Sequence, residues 1–305
     1  MTTGTENDND PCIRCFQNSF LKIKVMLYKR TIYILTAILC WTAFLLPCIG
    51  QSGARELVIL HTNDTHSHVD PVKAGPEAGL GGVIERAAYI DSVRSAVGKR
   101  NLLLVDAGDF SQGTSYFTVL KGDIEIELLN GMGYDAVCLG NHEFDNGPEE
   151  LARRLRNAKF DVVCANYDFS GSVLDRYVEP YTVIRKGGRK IGIIGLLVDV
   201  TKVVDRSVAE TMKYLDPVET VDRYSALLRD KGCDMVIVLS HLGIEKSEFT
   251  DIRLAEASRN VDIIIGGHSH TFLEEPVYVR NADGKEVMIV TDGCWGLYVG
   301  RLDIE

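Results

Sequence analysis

From Glu56 onward the chain alternates short, unbroken apolar runs with stretches of helical period, and most of the runs end on a small group of chemistry-bearing side chains. The runs at 57–61, 102–106, 136–139, 162–165, 191–196, 235–240 and 261–265 have strand length and little polar alternation, the pattern of strands covered on both faces. Between them, 82–97, 114–132, 149–159, 217–231 and 252–258 read as helices. Strands separated by helices of that length require crossover connections, so an α/β fold is expected, with a largely parallel sheet flanked by helices. After Thr271 the pattern is strand-only, at 277–280, 286–291 and 298–304, with Asp283-Gly284 as a turn. Gly187-Gly188 reads as a second tight hairpin. No repeat, low-complexity tract or Pro/Ser-rich linker interrupts 56–305, which is therefore expected to be one domain.

The first fifty residues differ. Basic Lys22, Lys24, Lys29 and Arg30 precede an uncharged apolar run from Thr31 to Gly50, the layout of a secretory signal with a cleavage point before Gln51. Residues 1–50 are thus expected to be a leader and 51–305 the exported catalytic domain, periplasmic or extracellular. The alternative is an uncleaved membrane anchor, since the run approaches the ~20 residues a spanning helix needs. Met26 stands where a conventional signal would begin. Three of the 43 acids and five of the 33 bases lie in 1–50, leaving the remainder with 40 against 28 and a formal charge of −12. Such a body repels polyanions, so no nucleic-acid polymer is expected as partner. A phosphate ester would need cations gathered locally. Of the cysteines outside the leader, Cys138 and Cys164 lie in apolar runs and read as buried small hydrophobes. Cys12 and Cys15 lack the partners of a zinc site.

All seven histidines fall in four stretches: Leu60-His-Thr-Asn-Asp-Thr-His-Ser-His68, Gly140-Asn-His-Glu-Phe-Asp145, Ser240-His-Leu-Gly243 and Gly266-Gly-His-Ser-His270. Gly108-Asp109 is a fifth, histidine-free member. Each follows an expected strand, and loops at strand carboxyl ends meet along one edge of an open α/β sheet. Imidazoles, carboxylates that can bridge and the Asn141 amide suit two divalent ions, with Asp109 the natural bridge. Loop capping is the ordinary role of Asp64, Asp109 and Asn141 taken singly, but their convergence with His66, His241 and His268 favours a metal site. His61 lies inside a strand and reads as structural, while His68 stays open. His142 adjoins a ligand, and Asp145 three residues on can fix its tautomer, which suits an acid–base role. Phe110, Tyr116, Phe117, Phe144 and Trp295 lie near these motifs and read first as core, second as substrate contacts. Arg86 reads as a solvated or paired charge, and Arg153-Arg154 as a solvent face.

Asp64-x-His66, Gly108-Asp109, Gly140-Asn-His-Glu143, His241 and Gly267-His268-x-His270 together resemble the calcineurin-like metallophosphoesterases. The longer stretches 62–66, 108–113, 140–147 and 240–243 resemble the 5′-nucleotidase branch, over about 56–305. The resemblance implies the layered sandwich of that family. It implies one metal held by Asp64, His66, Asp109 and His270 and a second by Asp109, Asn141, His241 and His268, zinc or manganese being the expected ions. It also implies that His142, oriented by Asp145, stabilises or protonates the leaving oxygen. Many relatives carry a different polar side chain where His270 stands.

The expected activity is hydrolysis of a small-molecule phosphate monoester, a 5′-nucleotide first, by metal-activated water. Phosphodiester or nucleotide-sugar hydrolysis is the enzymatic alternative, because the same metal core serves those bonds. Typical 5′-nucleotidases add a second domain that grips the nucleotide, whereas this sequence ends at Glu305. That leaves a further alternative, a half-enzyme or non-catalytic module working with a separate substrate-binding subunit. Membrane association is expected only if the leader is uncleaved.

Overall fold

Long apolar strands need cover on both faces, and two sheets lying against each other between helices provide it. The computed structural model describes residues 57–202, 212–244 and 249–304, so the expectations for the leader lie outside the described residues. In chain order the elements are β1 (Leu57–Thr62), α1 (Val83–Val97), β2 (Leu102–Asp106), α2 (Ser115–Leu120), α3 (Asp123–Met132), β3 (Ala136–Cys138), α4 (Pro148–Leu155), β4 (Asp161–Val163) and β5 (Tyr167–Asp168). They continue with β6 (Tyr181–Lys186), β7 (Arg189–Leu197), β8 (Lys213–Tyr214), α5 (Pro217–Asp230), β9 (Met235–His241), α6 (Asp251–Ala257), β10 (Ile263–Gly266), β11 (Val277–Arg280), β12 (Glu286–Val290) and β13 (Gly300–Ile304).

The first sheet runs β13-β1-β2-β3-β4, parallel except for β13, which lies antiparallel to β1. The second runs β11-β12-β10-β9-β7-β6, with parallel inner strands and antiparallel edges β11 and β6. Strand alternation divides the core. Leu57, Ile59, Leu103, Val105, Ile191, Ile193, Ile237, Leu239, Ile263 and Ile265 form one buried layer, drawn from alternate positions of both sheets. Their neighbours Val58, Leu60, Leu102, Leu104, Ile194, Val236, Val238 and Ile264 belong to a second cluster with helix residues such as Ile90, Ile126, Leu151 and Leu228. Each fully buried aliphatic side chain contributes ~1.5–3 kcal/mol, so this double layer supplies most of the driving force. The expected α/β class with mostly parallel sheets is therefore the observed one. Among the described residues no helix is long and apolar enough to cross a membrane.

Three local expectations change. The single helix expected at 114–132 is two, because Lys121 and Gly122 both adopt left-handed backbone (φ 56° and 92°). A Cβ at Gly122 would strike the Arg154 guanidinium, so the break makes room for that side chain. The last described strand begins at Gly300 rather than 298 and joins the first sheet beside β1 as its edge strand. Arg154 is not a solvent residue: it is fully buried, donating to Ser111 Oγ (3.1 Å) and the Glu143 carbonyl (2.7 Å), while Arg153 stays outside, paired with Asp123 and Glu150. The Gly187-Gly188 turn joins β6 to β7 as expected, both residues at positive φ as a two-residue hairpin requires.

Candidate metal centre

The loops after β1, β2, β3 and β10 and the end of β9 meet at one edge of the two sheets, because parallel strands deliver their carboxyl ends to the same side. Asp64, His66 and His270 there present ligand atoms all within 4.8 Å of one another, and Asp109, His241 and His268 form a second such group. Asp109 Oδ2 lies 3.0 Å from His241 Nε2 and 4.0 Å from His66 Nε2, so one carboxylate oxygen faces both groups. Every metal-ligand candidate with an imidazole or carboxylate is thus brought together. Asn141, the seventh candidate, begins the short 3₁₀ turn at 142–144, and its Oδ1 is buried without a partner among the described residues.

Hydrogen bonds hold the remaining atoms of these side chains away from the centre. Asp64 Oδ2 accepts from Asn63 Nδ2 (2.7 Å) and the His268 N–H (2.9 Å). Its Oδ1 faces His270 Nε2 at 3.4 Å and His66 Nε2 at 3.8 Å. His241 Nδ1 lies 2.8 Å from the Ala107 carbonyl and His66 Nδ1 3.3 Å from that of Ser111. A carbonyl accepts only from N–H, so both rings carry a proton on Nδ1 and turn Nε2 toward the centre. His66 and His270 bring their Nε2 atoms within 2.9 Å. Five of the seven candidates, Asp64, His66, Asp109, His268 and His270, have left-handed backbone (φ 45° to 67°), an uncommon state for residues other than glycine and one that clusters at functional sites.

The electrostatics are those of anions short of a cation. Burial works to lower the His241 pKa, but Asp109 and Asp64 outweigh it and push it up to about 10. For Asp109 burial works upward, yet His241 and His66 hold the carboxyl below its usual range. His270 is raised to about 10 by its hydrogen bond to Asp64, and His268 is lowered to about 4 by burial and by His241. Protons are thus taken up where divalent ions would otherwise sit, and metal binding releases them. The donor set fits such ions: imidazole nitrogens turned inward that become ligands once their proton is shed, a shared carboxylate oxygen and the unpartnered Asn141 Oδ1.

His142 stands at the rim, its side chain about one-third exposed, and Nδ1 lies 2.9 Å from Asp145 Oδ2. That bond raises its pKa, and the ring packs edge-on against His66 with centroids 5.4 Å apart. His61 is structural as expected, buried with Nδ1 2.9 Å from the Asp292 carboxylate. Arg86 is buried as well, its guanidinium filling the space that a Cβ at Gly296 would occupy.

Sequence reasoning gave no role to the buried carboxylates behind the ligands. Glu143, though quoted within a motif, accepts main-chain N–H groups from Asp109 (3.0 Å), Ser111 (3.0 Å) and Gly140 (2.7 Å), clamping two ligand loops together. Asp106 ties Thr62 to Gly108 through its two oxygens. An acidic residue in the middle of an apolar or glycine-rich stretch is the signal that marks both.

Two adjoining histidine–carboxylate clusters at the strand ends of a double-sheet α/β sandwich define a metallohydrolase type of protein. The chain belongs to the calcineurin-like phosphoesterase family, whose profile matches residues 57–272. It is 35% identical to a snake venom 5′-nucleotidase of Gloydius brevicauda over 83% of this chain and 46% of that protein. It is 33% identical to a human 5′-nucleotidase over 88% and 49%. The crystal structure of a 5′-nucleotidase precursor from Thermus thermophilus superposes with a TM-score of 0.75 at 38% identity, covering 82% of this chain and 51% of that one. That of a Haemophilus influenzae NAD nucleotidase gives 0.73 at 30% identity, covering 81% and 47%. The chain spans about half the length of the curated relatives it matches.

Proposed function

We propose that this chain is a metal-dependent phosphoester hydrolase acting on 5′-nucleotides as monoesters. The observation that carries the reading is the Asp109 oxygen facing both histidine groups, because a shared carboxylate is what two neighbouring ions require. Asp64, His66, Asp109 and His270 would hold one divalent ion, and Asp109, Asn141, His241 and His268 the other, zinc or manganese by donor type. When bound, such a pair supplies Lewis-acid charge to a phosphoryl group and lowers the pKa of water.

The chain's own residues do the rest. Asn63 and the His268 N–H orient Asp64, while the Ala107 and Ser111 carbonyls set the tautomers of His241 and His66. His142 would deliver a proton to the leaving oxygen, a role supported by Asp145, which raises its pKa and holds Nδ1 so that Nε2 is left for the substrate. The 5′-nucleotidase relatives support a nucleotide as substrate. On sequence pattern alone, residues 1–50 serve as an export leader and 51–305 as the catalytic domain.

The test is to load the purified full-length chain with manganese or zinc and assay AMP beside an aryl phosphate, a phosphodiester and a nucleotide sugar. Release of phosphate from AMP, with about two metal ions per chain by elemental analysis, is the expected result. Stoichiometric metal without hydrolysis of any ester would sink the reading.

A further inference from the structure

On this acidic body several surface arginines stand against a carboxylate: Arg94 against Asp91, Arg229 against Asp262, Arg259 against Asp283 and Arg301 against Asp303. Arg156 and Arg176 are exposed and make no ion pair among the described residues, yet both line one pocket of about 420 Å³ between α4 and the 169–178 segment. That volume lies within the range of small-molecule sites. We propose that this pocket binds a small molecule carrying two adjacent phosphoryl groups, a compound of the diphosphate class. It shares no residue with the metal centre, so the proposal stands apart from the phosphoester reading.

Two elements build the walls. Glu149, Arg153 and Arg156 recur at helical spacing and share one face of α4, while Leu151, Arg154 and Leu155 on the same helix are buried. The opposite wall is the 169–178 segment, anchored by buried Phe169, Leu174 and Val178. It is folded back on itself, with the Ser172 N–H donating to the Phe169 carbonyl and the Tyr177 N–H to that of Leu174, both at 2.9 Å. Anchored in this way, it contributes Ser172, Arg176 and Tyr177 to the pocket. Gly171 keeps the space clear, since even a Cβ there would meet nothing within 4 Å.

Helix electrostatics account for only part of this cluster. Arg153 and Arg156 stand at the carboxyl end of α4, where the helix dipole favours cations. Arg176 belongs to no part of that helix, and placing it in the same pocket sets like charges together. Arg153 is neutralised by Asp123 at 2.6 Å and Glu150 at 2.7 Å. Arg156 and Arg176 therefore keep two uncompensated charges, one from each wall. A guanidinium presents a planar fork of N–H donors that matches a phosphoryl group, and two forks call for two such groups. Glu149 is the one carboxylate in the lining, and it sits in the first turn of α4, seven residues or about 10 Å along the axis from Arg156. The anion thus belongs at the Arg156 end. Ser172 Oγ accepts from the Leu174 N–H at 3.2 Å, which leaves its own O–H to donate, and Tyr177 supplies a second hydroxyl.

Phenylglyoxal adds to accessible guanidinium groups and so reads the pocket residue by residue. Full-length protein is labelled with and without pyrophosphate and digested, and modified arginines are quantified by mass spectrometry, with exposed Arg185 as the reference. Pyrophosphate should slow labelling of Arg156 and Arg176 together, saturably and at least about five-fold, and leave Arg185 unchanged. Equal slowing of all three arginines, or of none, overturns the proposal; pyrophosphate held only at the metal centre gives the latter. Citrate at matched ionic strength should protect less than about half as well, because its carboxylates offer no adjacent phosphoryl pair. Equal protection by citrate would mean a general anion patch and overturn the diphosphate assignment. In a second arm, Arg176→Gln, a change at an exposed position checked by an unaltered melting temperature, should abolish the protection of Arg156 on the other wall. Protection of Arg156 that survives this change means that no ligand bridges the two, and the proposal fails. The readout is at these arginines and not in turnover, so its failure leaves the hydrolase reading intact, and a chain that hydrolyses no ester can still show the protection.

Discussion

The carboxylate of Glu143 accepts the main-chain N–H of Asp109 at 3.0 Å, so the loop that follows β3 holds the shared carboxylate of the loop that follows β2. The same side chain also takes the N–H groups of Ser111 and Gly140, and it is fully buried. Glutamine in its place has one acceptor oxygen and would turn an amide N–H toward a buried N–H. Each buried donor left unpaired costs ~1–3 kcal/mol. Glu143→Gln should therefore lower the free energy of unfolding in urea by about 1–3 kcal/mol, and Glu143→Ala by more, with weaker metal retention in both. Equal denaturation midpoints for Glu143→Ala and the parent chain would refute the clamp.

Asp109 and His142 should separate cleanly. Asp109→Asn removes the charge that faces both histidine groups, and the expected outcome is loss of bound metal and of activity together. His142→Ala should keep both ions and slow hydrolysis by about 10²–10⁴, the usual contribution of a positioned acid or base. Metal content by elemental analysis beside kcat decides the matter. Loss of both ions from His142→Ala would show that His142 is a ligand instead.

Gly140 offers a purely steric probe. A methyl group there would run into the Asp109 carboxylate and its main-chain nitrogen, backbone and ligand at once, with no flexible side chain to yield. Gly140→Ala should abolish stoichiometric metal binding, while Gly232→Ala, whose Cβ would meet nothing within 4 Å but which sits at φ 77°, should cost only modest stability and no metal. Isothermal titration with manganese distinguishes them.

Asp251 is fully buried, and burial raises its pKa from 3.8 to about 7 despite the Ser240 hydroxyl that donates to it. The folded state therefore binds a proton that the unfolded chain has released above pH ~4. The stability linked to this group is complete below that pH and is lost as pH rises through about 7. Asp251→Asn removes the titration. Relative to the parent, the variant should gain about 1.4 kcal/mol per pH unit between roughly pH 5 and 7, and nothing further above about pH 8. Parallel stability curves for the two proteins would show that the carboxyl is ionised in the fold.

Much of this molecule could be read from local pattern. Continuous apolar runs such as those of β2 and β9 announce strands covered on both faces, and the histidine stretches at their ends announce a site, because a strand's direction carries its last residues to the sheet edge. The division of 114–132 was hidden: Lys121 is no helix breaker, and it is Arg154, over thirty residues later, that occupies the gap at Gly122. Arg154 itself was misjudged because a basic pair reads as solvent-facing until a buried carbonyl and hydroxyl are seen to receive its guanidinium.

What the sequence determined alone was the class of fold and the kinds of donor atoms, since periodicity and side-chain chemistry are properties of short segments. Only the tertiary structure decided that Asp109 Oδ2 lies between His241 and His66, that Glu143 ties their loops, and that Trp295 stands exposed while Phe110 is buried. Those facts depend on how two sheets stack and on which main-chain groups remain to be satisfied at their edge. Contacts between residues tens to hundreds of positions apart are set by packing the whole core at once.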